Sequence, residues 1–197
     1  MSGEAPAFYF DLGSPEAYLV AERILQVMPV ATEWVPVLAR DLPGGDAFDG
    51  FRCADDREIA LQRIERAAAD RGLQPVRWPD PFPFDSELAM HAATFARQIG
   101  RTVAFGLAAF RQAYAGGRSL ARQDNVLIAG SACEMHPAAI LRAVGTRSVT
   151  GALERATGAA IDRGARDTPA IAVGERVFHG DARLDEAAAF ALVHAGA

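Results

Sequence analysis

The sequence contains no lysine: all 20 of its basic residues are arginine. A lysine Schiff base, a lysine general base and the lysine of a phosphate-binding loop are therefore excluded. Cysteine is almost as scarce. Cys53 and Cys133 are the only two, they lie far apart, and they form no CxxC. Two free thiols are the expectation for such a pair in a cytoplasmic chain. The four histidines, His91, His136, His179 and His194, keep no ligand spacing with one another or with cysteine, so no metal site is expected. There is no basic tract and the net charge is −5, which speaks against nucleic acid as a partner. No apolar run reaches about 18 residues, so no membrane span is expected. Met1 to Ala7 carries Glu4 and lacks the basic start and apolar core of a signal peptide, so the chain reads as cytoplasmic.

What is present suits a globular protein. The chain has 197 residues, 50% of them hydrophobic and 23% charged, enough for one domain, or one with a large insertion, around a substantial core. Ala7 to Asp11 reads as a buried strand. Ser14 is a good helix N-cap and Pro15 a good first helical residue. Glu16 to Met28 then carries an apolar face and stops at Pro29. Val30 to Val37 reads as a second strand, giving β-α-β with a parallel pair.

A loop follows from Ala39 to Cys53, with turn signals at Pro43-Gly44-Gly45 and Asp49-Gly50. Helices are then expected over Asp55 to Arg71, from Asp85 or Ser86 through Ile99, over Thr102 to Tyr114, Leu120 to Cys133, Pro137 to Val144 and Ser148 to Arg163. Pro75 to Pro83 holds four prolines and must be irregular. Ala170 to Val173 and Arg176 to His179 read as strands joined by Gly174-Glu175, with glycine where a type II′ turn wants it. Asp185 to His194 is a terminal helix. Removing the helical block leaves β-α-β-α-β-β-α, the thioredoxin order. The expected fold is α/β and thioredoxin-like: residues 1–54 and 146–197 form the main domain, and 55–145 an inserted all-helical subdomain.

Two places can carry chemistry. Ser14 sits where a strand ends and a helix opens, the usual ligand position of an open α/β sheet. The helix N-terminus offers N–H donors and a field that favours an anion or thiolate. Taken alone, the serine reads first as a simple N-cap. Pro169 opens a strand, where it cannot donate a ladder hydrogen bond. It is either an edge-strand proline or the cis-proline of a thioredoxin site, in which case the Thr168–Pro169 bond is cis.

Further motifs carry a resemblance. These are Phe8-Tyr9-Phe10-Asp11 with Ser14-Pro15 and Tyr18-Leu19, Trp34-Val35-Pro36-Val37, Pro81-Phe82-Pro83, Thr168-Pro169, and Glu175 to Gly180 followed by Arg183-Leu184. In order and spacing they resemble the DsbA-like branch containing 2-hydroxychromene-2-carboxylate isomerases and kappa-class glutathione transferases. The resemblance implies that Ser14 replaces the redox cysteine and hydrogen-bonds the sulfur of bound glutathione. It implies that Thr168 pairs its backbone with the cysteinyl part, and that Pro169, Asp181, Asp85 and Trp34 lie around the ligand. It further implies a glutathione-dependent isomerase or transferase, a small hydrophobic or aromatic substrate, and a homodimer.

Four positions depart from the branch's pattern. Asp85-Ser86 replaces Asn-Ser, no lysine is available near the pocket, and Glu16 stands where an aromatic is usual. Ala182 takes the place of the aspartate used on the γ-glutamyl amine, with Asp181 one residue earlier. The alternative function is a redox-inactive DsbA-like protein that binds a ligand or partner without glutathione. A reactive thiol at Cys53 is a third, with Cys133 read as core. The helical block is expected to pack over the mouth formed by Ser14 and Pro169. Phe82, Phe84, Met90, Phe105 and Phe110 then serve mostly as core, and some line a hydrophobic cleft.

Overall fold

The computed structural model describes residues 5–45, 48 and 53–195. The Met1–Glu4 start and the Asp49–Gly50 turn lie outside these residues. Four strands form one mixed sheet in the order β2-β1-β3-β4: β1 (Ala7–Phe10), β2 (Glu33–Pro36), β3 (Ala170–Val173) and β4 (Arg176–His179). β1 and β2 are parallel, with Phe8 opposite Trp34, while β1–β3 and β3–β4 are antiparallel. The β3–β4 hairpin turns at Gly174, whose φ of +54° is the value a type II′ turn asks of its first central residue.

All four residues of β1 are buried, because both faces of the sheet are covered. Phe8 and Phe10 point into a large core shared with α1 (Pro15–Val27), α3 (Glu87–Gln98), α4 (Thr102–Phe110) and the terminal α8 (Leu184–Ala195). Ala7 and Tyr9 point the other way, onto a smaller core with Ala160 of α7 (Arg147–Asp162). The α2 helix (Ala54–Asp70) precedes α3, and α5 (Gln123–Ser131) and α6 (Pro137–Val144) precede α7. The five helices α2–α6 thus lie between β2 and α7 in the chain, and β-α-β-α-β-β-α remains without them.

Three elements differ from the sequence reading. β2 is shorter, since pairing with β1 spans only Glu33 to Pro36. The helix expected from Leu120 starts at Gln123, because the Arg122 N–H and the Asn125 side-chain amide both turn back to the Ser119 carbonyl. The helix expected over Thr102 to Tyr114 ends its α-helical part at Phe110 and continues as a π-helical turn, Arg111–Ala115. The i+5 bond from the Gly116 N–H to the Arg111 carbonyl closes that turn.

The helical block meets the sheet through aromatic rings. Phe10 lies against Phe110, Phe110 against Tyr114, and Tyr114 against Trp78 and Phe82. Phe82, Phe84, Met90, Phe105 and Phe110 are all buried, as the core reading expects.

Candidate functional site

The site begins at the carboxyl end of β1. Asp11 is buried, and its carboxylate accepts the N–H of Gly13 at 2.8 Å and of Ala39 at 2.8 Å. Ser86 adds a third hydrogen bond. Burial nonetheless pushes the Asp11 carboxyl above its ordinary value, against the lowering effect of these donors and of Arg40. These bonds tie β1, the entry to α1 and the segment after β2 together at one point. The Tyr114 hydroxyl closes the turn from the other side by donating to the Gly13 carbonyl at 2.6 Å. The Met90 thioether accepts the Leu12 N–H at 3.2 Å. The helical block therefore packs against the turn that leads into Ser14.

Ser14 is the N-cap of α1. Its oxygen accepts the Ala17 N–H at 3.2 Å, and its hydroxyl donates to the Thr168 carbonyl at 3.2 Å. The Thr168–Pro169 bond is cis, as the thioredoxin reading requires. Ser14 and Thr168 are buried polar residues, 8% and 7% exposed. Serine, carbonyl and helix N-terminus thus converge, although Ser14 and Thr168 are 154 residues apart. Such a cluster offers a hydroxyl, backbone groups and a positive field to a sulfur or another anion.

A charged cluster flanks Ser14. Glu16, two residues on, pairs with Arg63 of α2. Asp181 is 6% exposed and is engaged by Arg71, with Arg63 at 3.9 Å. Asp181 therefore faces guanidinium groups. The two arginines carry no motif. The one sequence signal for them is their spacing of eight residues, which returns a helix to the same face.

The other expected residues are placed differently. Asp85 accepts the Glu87 N–H at 3.0 Å and lies 3.5 Å from Arg40, with its side chain 68% exposed. It lies just before the Ser86 cap of α3, takes the helix's first N–H and pairs with a surface cation. Trp34 is 2% exposed, edge-on to Phe8 and Phe10. A Cβ on Gly106 of α4 would come within 3.1 Å of its ring. These sides of the indole pack the core, while its Nε1–H is buried with no acceptor among the described residues. Cys53 is exposed and caps α2, its sulfur accepting the Asp56 N–H at 3.4 Å. Cys133 is buried, its thiol donates to the Ala129 carbonyl at 3.1 Å, and burial pushes its pKa up, which disfavours the thiolate. A groove of about 1080 Å³ runs along Tyr18, Leu107, Ile128 and Cys133, but neither Ser14 nor Pro169 lines it. No group of acidic, histidine or cysteine side chains suited to a metal occurs among the described residues. Among them, no helix is long and apolar enough to cross a membrane.

Strand order, cis-proline and the helix start at Ser14 are those of a thioredoxin-type fold, and the sequence comparison agrees on the fold. The DSBA-like thioredoxin domain matches residues 7–190. The chain belongs to this DsbA-like family. Solved structures share the DsbA-like fold over nearly its whole length. A 2-hydroxychromene-2-carboxylate isomerase superposes with a TM-score of 0.83 at 19% identity, covering 98% of this chain and 98% of its own. A probable DsbA oxidoreductase from Streptomyces coelicolor gives 0.74 at 16%, covering 96% and 90%. The cytosolic disulfide reductase DsbM from Pseudomonas aeruginosa, solved with GSH, gives 0.69 at 16%, covering 98% and 100%. No curated protein matches the sequence significantly. Within the DsbA-like family this chain lacks a dithiol at the helix start, since Ser14 to Ala17 contains no cysteine.

Proposed function

We propose that the chain is a glutathione-dependent isomerase or transferase whose ligand thiol sits beside Ser14. The carrying observation is the hydrogen bond from the Ser14 hydroxyl to the carbonyl that precedes the cis-proline, at the N-terminus of α1. Disulfide exchange at this position has no attacking thiol in the chain. A hydroxyl on a helix N-terminus suits holding a thiolate. The GSH-bound reductase among the similar structures supports the same ligand class, and the isomerase supports the same reaction class.

Bound there, a thiol supplies a nucleophilic sulfur for reversible addition to an unsaturated substrate or for displacement at an electrophile. The chain's own groups do the rest. The Thr168 carbonyl accepts an amide N–H of the extended ligand. That contact takes over the acceptor now used by Ser14 and releases its hydroxyl to turn toward the sulfur. The α1 N-terminus adds its field to that bond, while the Ala17 N–H keeps the serine oxygen in place. Asp11, Tyr114 and Met90 hold the backbone of the turn and touch no ligand. The second substrate is read as small and hydrophobic or aromatic, and the enzyme as a cytoplasmic homodimer.

A hydroxyl donor to a charged sulfur contributes about 1.5–3 kcal/mol, and one pH unit corresponds to about 1.36 kcal/mol. Ser14→Ala should therefore raise the pKa of the bound thiol by about 1–2 pH units and lower activity near neutrality by about 10- to 100-fold. Glutathione affinity should change little. Calorimetric titration with glutathione, and ultraviolet titration of the thiolate in both proteins, check this. A wild type that binds no glutathione at millimolar concentration sinks the proposal. The second reading, a redox-inactive protein that binds a partner without glutathione, then takes its place. The engagement of Asp181 by Arg71 is the observation that favours it.

A further inference from the structure

We propose that a thiol held at Ser14 is recognised on the α1–α8 flank through a carboxylate, by Arg63, and not through an ammonium group. This rests on the thiol reading of Ser14 and adds the charge of the ligand to it.

The flank is defined by contacts. Glu16 lies in the first turn of α1, two residues beyond Ser14. Its Oε2 is 3.6 Å from where a Cβ on Gly180 would stand, so the Gly180–Asp181 segment before α8 packs directly on the α1 start. Arg63 and Arg71 reach this segment from one face of α2 and its C-cap. A ligand that extends from Ser14 along the first turn of α1 toward Gly180 runs toward these four side chains.

Their charges are already assigned. Asp181 is buried and its two oxygens face Arg71 and Arg63. Glu16 is paired with Arg63, and its side chain is 16% exposed. An ammonium group brought to either carboxylate would stand next to a guanidinium and be repelled. The neighbouring position 182, which would have to supply a fresh carboxylate, is alanine.

Donors, by contrast, are left over. Nη1 of Arg71 is buried with no acceptor among the described residues, and an unmet buried donor is costly. Arg63 is 52% exposed, and a guanidinium carries five N–H donors, so part of its fork remains open to solvent. Two arginines balance two carboxylates, and the α1 N-terminus adds a partial positive charge. The flank therefore favours an anion, and Arg63 is the group able to grip it.

Three thiol tripeptides separate the alternatives, with dissociation constants read by calorimetry. Glutathione carries both groups on its γ-glutamyl head. Glutaryl-cysteinylglycine keeps the carboxylate alone, and 4-aminobutyryl-cysteinylglycine keeps the ammonium alone. The glutaryl peptide should bind within about threefold of glutathione, and the aminobutyryl peptide about tenfold or more weaker. Arg63→Gln should weaken the first two by about tenfold and leave the third unchanged or tighter, since Glu16 then loses its guanidinium partner. Arg63 is half-exposed, so this variant should fold, and circular dichroism confirms that it does. An aminobutyryl peptide that matches glutathione while the glutaryl peptide falls away overturns the proposal, as does an Arg63→Gln protein with wild-type affinities. If none of the three binds, the thiol reading of Ser14 itself fails and takes this inference with it, an outcome distinct from reversed selectivity.

Discussion

At the scale of single residues, Asp11 and Ser14 do opposite things with burial. Ser14 satisfies its hydroxyl twice, to Ala17 and Thr168, and costs the fold nothing. Losing it removes a helix cap, so Ser14→Ala should lower stability by about 1 kcal/mol in urea denaturation, separately from any effect on a thiol. Asp11 is a buried carboxylate whose pKa is raised by burial. The folded state therefore holds its proton more tightly than the unfolded chain does. Stability from this group is greatest in acid and falls as pH rises from the ordinary value of 3.8 through the higher folded value. Asp11→Asn removes that titration. Its amide nitrogen would also face the N–H of Gly13 or Ala39, which costs about 1–3 kcal/mol. The variant should be less stable than wild type at every pH. The gap should be widest near pH 4 and narrow toward neutrality, as urea denaturation across the range would show. A gap that widens toward pH 7 contradicts the raised pKa.

At the scale of elements, the strands, most helices and the cis-proline were legible because each carries a local signal. Ser14-Pro15 marks a helix start, Gly174 a tight turn, and Pro169 a strand that begins without a donor. The π-helical turn was not legible, since one extra residue per turn leaves no trace in the apolar pattern. Yet that turn places Tyr114 where its hydroxyl reaches Gly13. The enclosure of Trp34 was not legible for a related reason. Alternation in β2 says which face a side chain takes, not that α4 brings Gly106 down onto the ring. Arg71 and Asp181 meet across most of the chain, and nothing local announces such a pair. The Tyr114 bond is testable. Tyr114→Phe keeps the ring packing on Tyr18, Phe110, Trp78 and Phe82 and removes the donor from a buried carbonyl. It should cost about 0.5–1.5 kcal/mol by urea denaturation. The Gly13 amide should also lose protection from hydrogen exchange, because only the Met90 contact then holds the turn from the inserted side. Unchanged exchange at Gly13 would mean that Asp11 and Met90 fix the turn without the hydroxyl.

At the scale of the whole molecule, the question is whether the helical block is a unit of its own. The chain order inserts it between β2 and α7, but the packing does not set it apart. Stacked and tilted rings run from Phe8 and Phe10 in the sheet through Phe110 and Tyr114 to Trp78 and Phe82. The turn at Ser14 is gripped by Asp11 from the sheet side and by Tyr114 and Met90 from the inserted side. A block melting alone would expose the sheet-facing halves of Phe10 and Trp34 and leave the Gly13 carbonyl without its donor. The two parts should therefore unfold together. The chain has two tryptophans, and they fall one on each side: Trp34 in β2 and Trp78 in the proline-rich loop of the block. Trp78→Phe leaves fluorescence reporting the sheet, and Trp34→Phe leaves it reporting the block. Each variant's urea transition by fluorescence should coincide with its own transition by far-ultraviolet circular dichroism. A Trp34→Phe protein whose Trp78 signal changes at clearly lower urea than its helix signal would show instead that the block opens first, with the fold of the sheet still in place beneath it.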